Sequence, residues 1–236
     1  MKPLSARIVE PELLDELSPQ DLRALRSRRD LRRVNRWMDH PRLMAHALSA
    51  HLNGSNCPGI VELGAGDGHF LLNVARQLQP HCPTAQATLV DRLDSFDSQI
   101  QQRFKDLGWR IRLEIKTASD WLRESANGGI DIIICNLFLH QFRSEELSEL
   151  LRLAAHSARL LIALEPRRSQ FPRFCGRLLW IIGCGPVTRH DASVSIRAGF
   201  YGRELSALWS DTDKWVLTEH AAGFFSHLFI ARRTDH

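Results

Sequence analysis

The sequence predicts an α/β fold around a mostly parallel sheet, and three observations carry that prediction. Strand-like runs alternate with helical periodicity from residue 57 onward, a glycine-rich turn follows the first strand directly, and the chain closes on two strand-like runs joined too tightly for a crossover helix. The 236 residues suit one large domain with an appendage better than two independent folds. Hydrophobic residues at 44% and charged residues at 25% exclude disorder, collagen-like repeats and coiled-coil arrays. A net charge of +4 does not by itself demand nucleic acid.

The elements follow in order. Ser18-Pro19-Gln20-Asp21 reads as a helix start, with Leu22, Leu25, Leu31, Val34, Trp37 and Met38 at helical spacing behind it and Pro41 as an interruption. A second run, Leu43, Met44, Ala47 and Leu48, leads to the turn Asn53-Gly54-Ser55-Asn56, so residues 1–56 are read as a helical extension and 57–236 as the main domain. Strands are expected at 59–63, 87–91, 110–115, 131–137 and 159–165. Phe70, Leu71, Val74 and Leu78 share a helix face, as do Phe96, Ile100, Phe104 and Leu107, and Ser144 is expected to cap a helix reaching Ser157. Ile111, Leu113 and Ile115 alternate with charged residues, an edge pattern, whereas Ile132-Ile133-Ile134 is the continuous run of a central strand. Two final strands, 215–220 and 225–232, form a hairpin through Ala221-Ala222-Gly223.

No run approaches the roughly 18–20 apolar residues of a membrane span. The acidic start indicates no export signal, and five scattered cysteines without a C-x-x-C pair read as reduced thiols of a cytoplasmic protein with no metal site.

Chemistry concentrates at Glu62-Leu63-Gly64-Ala65-Gly66-Asp67-Gly68, between the first strand and its helix. Glycines at alternate positions let the backbone turn sharply and come close to a ligand. His69 stands where a dinucleotide motif would place its third glycine, which argues against a dehydrogenase. Leu89-Val90-Asp91 ends the second strand with an acid suited to ribose hydroxyls. With Ala118-Ser119-Asp120-Trp121 and the strand Asp131 to Asn136 leading to His140, these segments resemble the class I S-adenosylmethionine-dependent methyltransferases over about residues 57–232. Glu165-Pro166-Arg167-Arg168-Ser169, Arg189-His190-Asp191-Ala192 and Ser195 to Phe200 also look like a bacterial subgroup acting on small molecules.

That resemblance implies a Rossmann-like seven-stranded sheet in the order 3-2-1-4-5-7-6, strand 7 antiparallel, with S-adenosyl-L-methionine as cofactor. It implies that Glu62, Gly64, Gly66, Gly68, Asp91, Ser119, Asp120, Trp121 and Asn136 hold that cofactor, Asp120 and Trp121 at the adenine. His140 and His190 are the candidate bases, since an imidazole titrates near neutrality. Asp67 either touches ligand or caps the following helix, and Arg92 either meets the ligand or is solvated. Arg167, Arg168, Arg189 and Arg197 are candidates for an anionic substrate group, the apolar stretch 171–187 for an acceptor site, and Trp37 with Met38 for a lid. The expected reaction is methylation, through oxygen, of a small hydrophobic or aromatic acceptor by a monomer or homodimer. Seven arginines between Arg23 and Arg36 raise an RNA-modifying alternative; Asn136-Leu137-Phe138-Leu139, which lacks the D/N-P-P-Y/F form, weighs against it. A non-catalytic cofactor-binding scaffold is the third reading.

Overall fold

A computed structural model describes residues 6–52, 58–79, 81–125, 129–170, 172 and 179–234. Seven strands form one sheet: β1 (Ile60–Leu63), β2 (Gln86–Asp91), β3 (Arg110–Ile115), β4 (Ile130–Asn136), β5 (Ala158–Pro166), β6 (Trp215–Ala222) and β7 (Ser226–Arg233). Their order is β3-β2-β1-β4-β5-β7-β6, as the resemblance implies. The first five pair in parallel and β7 runs antiparallel to both its neighbours.

The helices are α1 (Leu13–Glu16), α2 (Leu22–Trp37), α3 (His40–Ser49), α4 (His69–Leu78), α5 (Ile100–Asp106), α6 (Ala118–Glu124), α7 (Ser144–Ser157), α8 (Pro186–Ala198) and α9 (Glu204–Leu208). The sheet residues alternate between two cores, because successive side chains of a strand point to opposite faces. Ile60, Leu89, Ile132, Ile134 and Ile162 pack with α3, α4 and α5 on one side. Leu63, Val90, Ile133, Cys135 and Phe229 pack with α6, α7 and α9 on the other. Met44 and Leu48 bring α3 into the first core, so this helix of the N-terminal extension is part of the layer that covers the sheet.

Several local expectations need correction. Helix α2 begins at Leu22, not after Ser18, because the Asp21 carboxylate caps it by accepting the Arg23 N–H at 2.7 Å. Ser144 is the first residue of α7 rather than its cap; Arg143 stands there, its N–H donating to Glu146 at 3.2 Å. The last hairpin turns at 223–225, since β6 runs two residues further than expected and β7 starts one residue later. Edge strand β3 breaks its alternation at the end: Glu114 turns inward to pair with Arg112, and Ile115 is exposed. Cys82, read as a reduced thiol, is disulfide-bonded to a partner outside the described residues, a proximity that spacing along the chain does not reveal. Cys135 and Cys184 are free and buried.

Parallel register brings the carboxyl ends of β1, β2 and β4 to one edge: Leu63 lies beside Val90 on one side and Cys135 on the other. The glycine turn is fastened there, with the N–H groups of Gly64 and Ala65 both donating to the Val90 carbonyl, at 2.9 and 3.1 Å. Gly68 has φ +80°, and a Cβ at that position would come within 2.8 Å of Ile100. Gly68→Ala is therefore expected to destabilise the fold by about 1–3 kcal/mol in urea unfolding, through left-handed strain and overpacking together. Gly66, at φ +55° with nothing within 4 Å of a built Cβ, should lose only about 1 kcal/mol on the same change. Equal losses would overturn this division of roles.

Candidate active site

A cavity of about 540 Å³ opens at the carboxyl edge, where the chain leaves β1 toward β2 on one side and returns through β4 on the other. Open α/β sheets place their ligands at such a switch point. Glu62, Gly64, Gly66, Asp67, Asp91 and Ser119 line it around the glycine turn, together with apolar residues of α2 and α8 and with Phe138, Phe142 and Phe225.

Glu62 ends up fully buried because β1 is the middle one of the five parallel strands. Burial, then the nearby carboxylates of Asp67 and Asp91, push its pKa well above the usual carboxylate range, and its Oε2 has no hydrogen-bond partner. Asp91 accepts the Gly66 N–H at 2.8 Å on Oδ2 and the Leu93 N–H at 2.9 Å on Oδ1, so the acid that ends β2 also shapes the glycine turn. Asp67 both caps α4, taking the His69 N–H at 3.1 Å, and receives Arg32 of α2 at 2.7 Å. Arg92 pairs with Asp15 at 3.1 Å.

Asn136 closes β4 inside a polar chain. Its Oδ1 lies 2.6 Å from His40 Nδ1, and its Nδ2 donates to Asn35 at 3.1 Å. His40 reaches Ser226 on its other side at 2.5 Å, and complete burial lowers its pKa to about 4 despite the Asn136 bond, so it is neutral. Leu137 follows with φ +53°, unfavourable for a branched side chain, and turns the chain away from the strand.

His140 differs from expectation. Its Nδ1 lies 2.8 Å from Glu165 and its Nε2 3.2 Å from Glu12. Burial opposes its charge, but hydrogen bonds to Glu12 and Glu165 and the charge of both outweigh burial and raise its pKa to about 9. At neutral pH it is an imidazolium with both nitrogens occupied, which removes it as a general base. Glu165, wholly buried, also accepts the backbone N–H groups of Phe138, Leu139 and His140 at 3.1, 2.8 and 3.3 Å.

His190 is half exposed, pairs with Asp191 at 3.0 Å and lies outside the cavity wall, so it is not a base for a ligand held there. Asp191 sits inside α8, not at its start; it lines the cavity and caps α1 by accepting the Leu13 and Leu14 N–H groups at 2.8 and 3.0 Å. Asp120 and Trp121 also miss the cavity. Asp120 is turned to Thr117 and Arg123 on the exposed side of α6, and Trp121 packs against the core under α7. Gly68 faces Ile100 and Leu89 instead of the cavity, and Gly64 is covered by the Phe138 ring. None of Arg167, Arg168, Arg189 or Arg197 lines the cavity; Arg168 is bound to Glu204 and Arg197 to Glu10. Trp37 and Met38 do line it, as do Pro172 and Leu179 of the apolar stretch, whose Phe171, Phe174 and Leu178 lie outside the described residues.

Glu12, Glu165 and His40 were missed as contributors. An acid at the carboxyl end of a strand beside β4 was a usable signal for Glu165; nothing local marks Glu12 or His40, which arrive through tertiary packing.

A methyltransferase-domain family model matches residues 60–159, the stretch from β1 into β5. Residues 60–159 thus match a methyltransferase domain, within the sheet described above. No curated protein matches it in sequence. The plantazolicin methyltransferase BpumL, solved with SAH, superposes with a TM-score of 0.64 at 13% identity over 91% of this chain and 92% of its own. Magnesium protoporphyrin IX methyltransferase from Synechocystis PCC 6803, solved with SAM, gives 0.54 at 14% over 91% and 85%. An O-methyltransferase family protein from Burkholderia thailandensis gives 0.58 at 19% over 91% of this chain and 61% of that one, so the chain spans less than two thirds of that relative. Likeness at these identities is likeness of fold.

The cofactor of a methyltransferase domain of this class is S-adenosylmethionine. Two features of the cavity match its chemistry: a buried acid with an unpartnered oxygen for a cation, and open space over Gly66 for a close ligand. The pKa of His140 yields a prediction. A group whose folded pKa of about 9 exceeds its unfolded value near 6.5 adds stability that is complete below pH 6.5 and lost as pH rises through 9. Methyltransferase stability should therefore fall by up to about 3 kcal/mol between those limits. His140→Gln should flatten that segment of the urea-unfolding profile, and an unchanged slope would overturn the imidazolium assignment.

Proposed function

We propose that this methyltransferase binds S-adenosylmethionine through Glu62, Gly64, Gly66, Asp91 and Ser119 and methylates an oxygen of a small hydrophobic acceptor lodged between α2 and α8. The observation that carries the reading is Glu62, a buried acid whose Oε2 lacks a partner at the mouth of the glycine turn. An ammonium there would restore its charge, and Asp91, already anchored by two backbone N–H groups, keeps lone pairs for ribose hydroxyls. Bound S-adenosylmethionine supplies a methyl made electrophilic by its sulfonium.

The protein's own part is positioning. With His140 clamped as a cation and His190 outside, alignment of the acceptor carries the rate rather than a histidine base. Glu12, lining the cavity, presents a carboxylate whose pKa is low: burial raises it, but the His140 and Ser195 hydrogen bonds prevail. It can accept a hydrogen bond from an acceptor hydroxyl. Helix α2 covers the cavity and is pinned to α8 by Asp30, which accepts the Gly185 N–H at 2.7 Å and the Thr188 hydroxyl at 3.1 Å. The Burkholderia relative's O-methyltransferase family supports oxygen as the acceptor atom.

Because burial and the neighbouring carboxylates raise the pKa of Glu62, a cation bound there should lower it and favour loss of its proton. Calorimetry at pH 7 in phosphate and in Tris should give enthalpies that differ by the buffer ionisation of that proton, and Glu62→Gln should erase the difference; equal wild-type enthalpies would sink the Glu62 assignment. Affinity should rise with pH for the same reason. Asp91→Ala should weaken cofactor binding by roughly 1.5–3 kcal/mol, and Gly66→Arg should abolish it without unfolding the domain. Methyl transfer from labelled cofactor to hydrophobic phenols, against matched amines and carboxylic acids, tests the acceptor. Turnover on amines alone would overturn the oxygen reading, and binding without any turnover would favour a scaffold. The pH–rate profile should show no acid limb near 6.5 assignable to His140.

A further inference from the structure

One face of α2 is left uncovered and has a mixed chemistry. Leu22, Leu25, Arg26, Arg29, Arg33 and Arg36 fall within about 120° of one another at 100° per residue, and all six are exposed, Leu22 at 79%. Only Arg33 of these arginines has an ion pair among the described residues, to the buried Asp30; Arg29 turns to the Leu25 carbonyl. Arg33 also donates to the Ile182 carbonyl at 3.2 Å, which sets the turn 179–183 beside the helix and with it Trp180 and Ile181, exposed at 59% and 63%. At the C-terminal end of the helix, exposed Trp37 stacks on Phe225, with rings 4.6 Å apart, and Phe225 touches Phe224, itself 68% exposed.

These exposed apolar residues share a place in the fold. Trp37 itself lines the cavity, Trp180 and Ile181 follow Leu179, which lines it, and Phe224 precedes Phe225, which lines it. Large exposed apolar side chains thus adjoin residues of the cavity wall, and a row of arginines runs along α2.

We propose that this face docks on an anionic lipid bilayer, with the aromatic and aliphatic rim entering the interface and Arg26, Arg29 and Arg36 meeting phosphate headgroups. Charge complementarity argues for an anionic partner, since the acids flanking the helix are matched, Asp21 by Arg23 at 2.8 Å and Asp39 by Arg42 at 3.8 Å. Lipid is favoured over nucleic acid because Leu22, Leu25 and Ile181 offer an RNA nothing to bond, whereas aliphatic and tryptophan side chains beside arginine suit the headgroup boundary.

The test is flotation of the full chain with vesicles of phosphatidylcholine containing about a third phosphatidylserine, against vesicles of phosphatidylcholine alone. Binding should require the anionic lipid and weaken with salt. Reversing Arg26, Arg29 and Arg36 to glutamate should reduce it on the order of 100-fold or more, at about a fivefold loss per charge near the surface. The lysine triple variant should retain most of it. Trp180→Ala with Ile181→Ala should reduce it with the salt dependence kept, and far-ultraviolet dichroism and melting should confirm that each variant is folded. Equal binding to neutral vesicles, no binding to either, or binding only to a single-stranded ribo-oligonucleotide that the glutamate variant loses would each overturn the proposal.

Discussion

Glu165 ends β5 with no access to water, so its charge must be matched by whatever the chain places beside it, and much of the site follows from how that is done. Three successive N–H groups after β4 turn toward it, and His140 completes the shell as a cation. The same imidazolium then holds Glu12 across the cavity and so ties the N-terminal segment to the sheet edge. Arg7 reinforces this by donating to the carbonyls of His140, Phe142 and Ala198 at 2.8, 2.7 and 2.7 Å. An ion pair buried this deeply adds less net stability than its distances suggest, but losing one partner strands a charge, so its geometry is strongly enforced. What it enforces is the floor of the cavity and the path of the strap above it.

Opposite that charge-balanced floor, the β1–β2 end of the cavity carries an excess of acid. Glu62, Asp67 and Asp91 converge, which raises the pKa of Glu62, and Arg32 of α2 is brought onto Asp67. Both adjustments are the response of a site suited to a cation in a region that excludes water. The apolar end lacks such an excess. The division fits a polar cofactor at one end and a hydrophobic acceptor at the other, with Asn136 and its buried partners His40, Asn35 and Ser226 at the boundary.

Helix α2 connects the inside with the surface. Its inner side supplies Val34, Asn35 and Arg32 to the cavity and Asp30 to α8, which leaves its arginine-rich outer side exposed. A helix with that much exposed charge and apolar surface is held in place by its inner contacts alone, because its outer residues contribute nothing to the core.

Strand and helix periodicity, the glycine turn and the acid closing β2 were readable from residues adjacent in the chain, because a strand's alternation, a helix's 3.6-residue repeat and a turn's need for positive φ are local requirements. The edge place of β3 and the central place of β4 were readable for the same reason, through one-sided and two-sided burial. The misses share a different cause. His140, His190, Asp120 and Trp121 were placed by motif position, but whether a side chain reaches the cavity depends on how its element packs, and the protonation state of His140 depends on Glu165 and Glu12, 25 and 128 positions away. Local chemistry thus specified the sheet and the turn that cups its edge. Burial and long-range pairing, which exist only once the layers have closed, decided which acids carry charge, which histidines are occupied and which arginines remain outside.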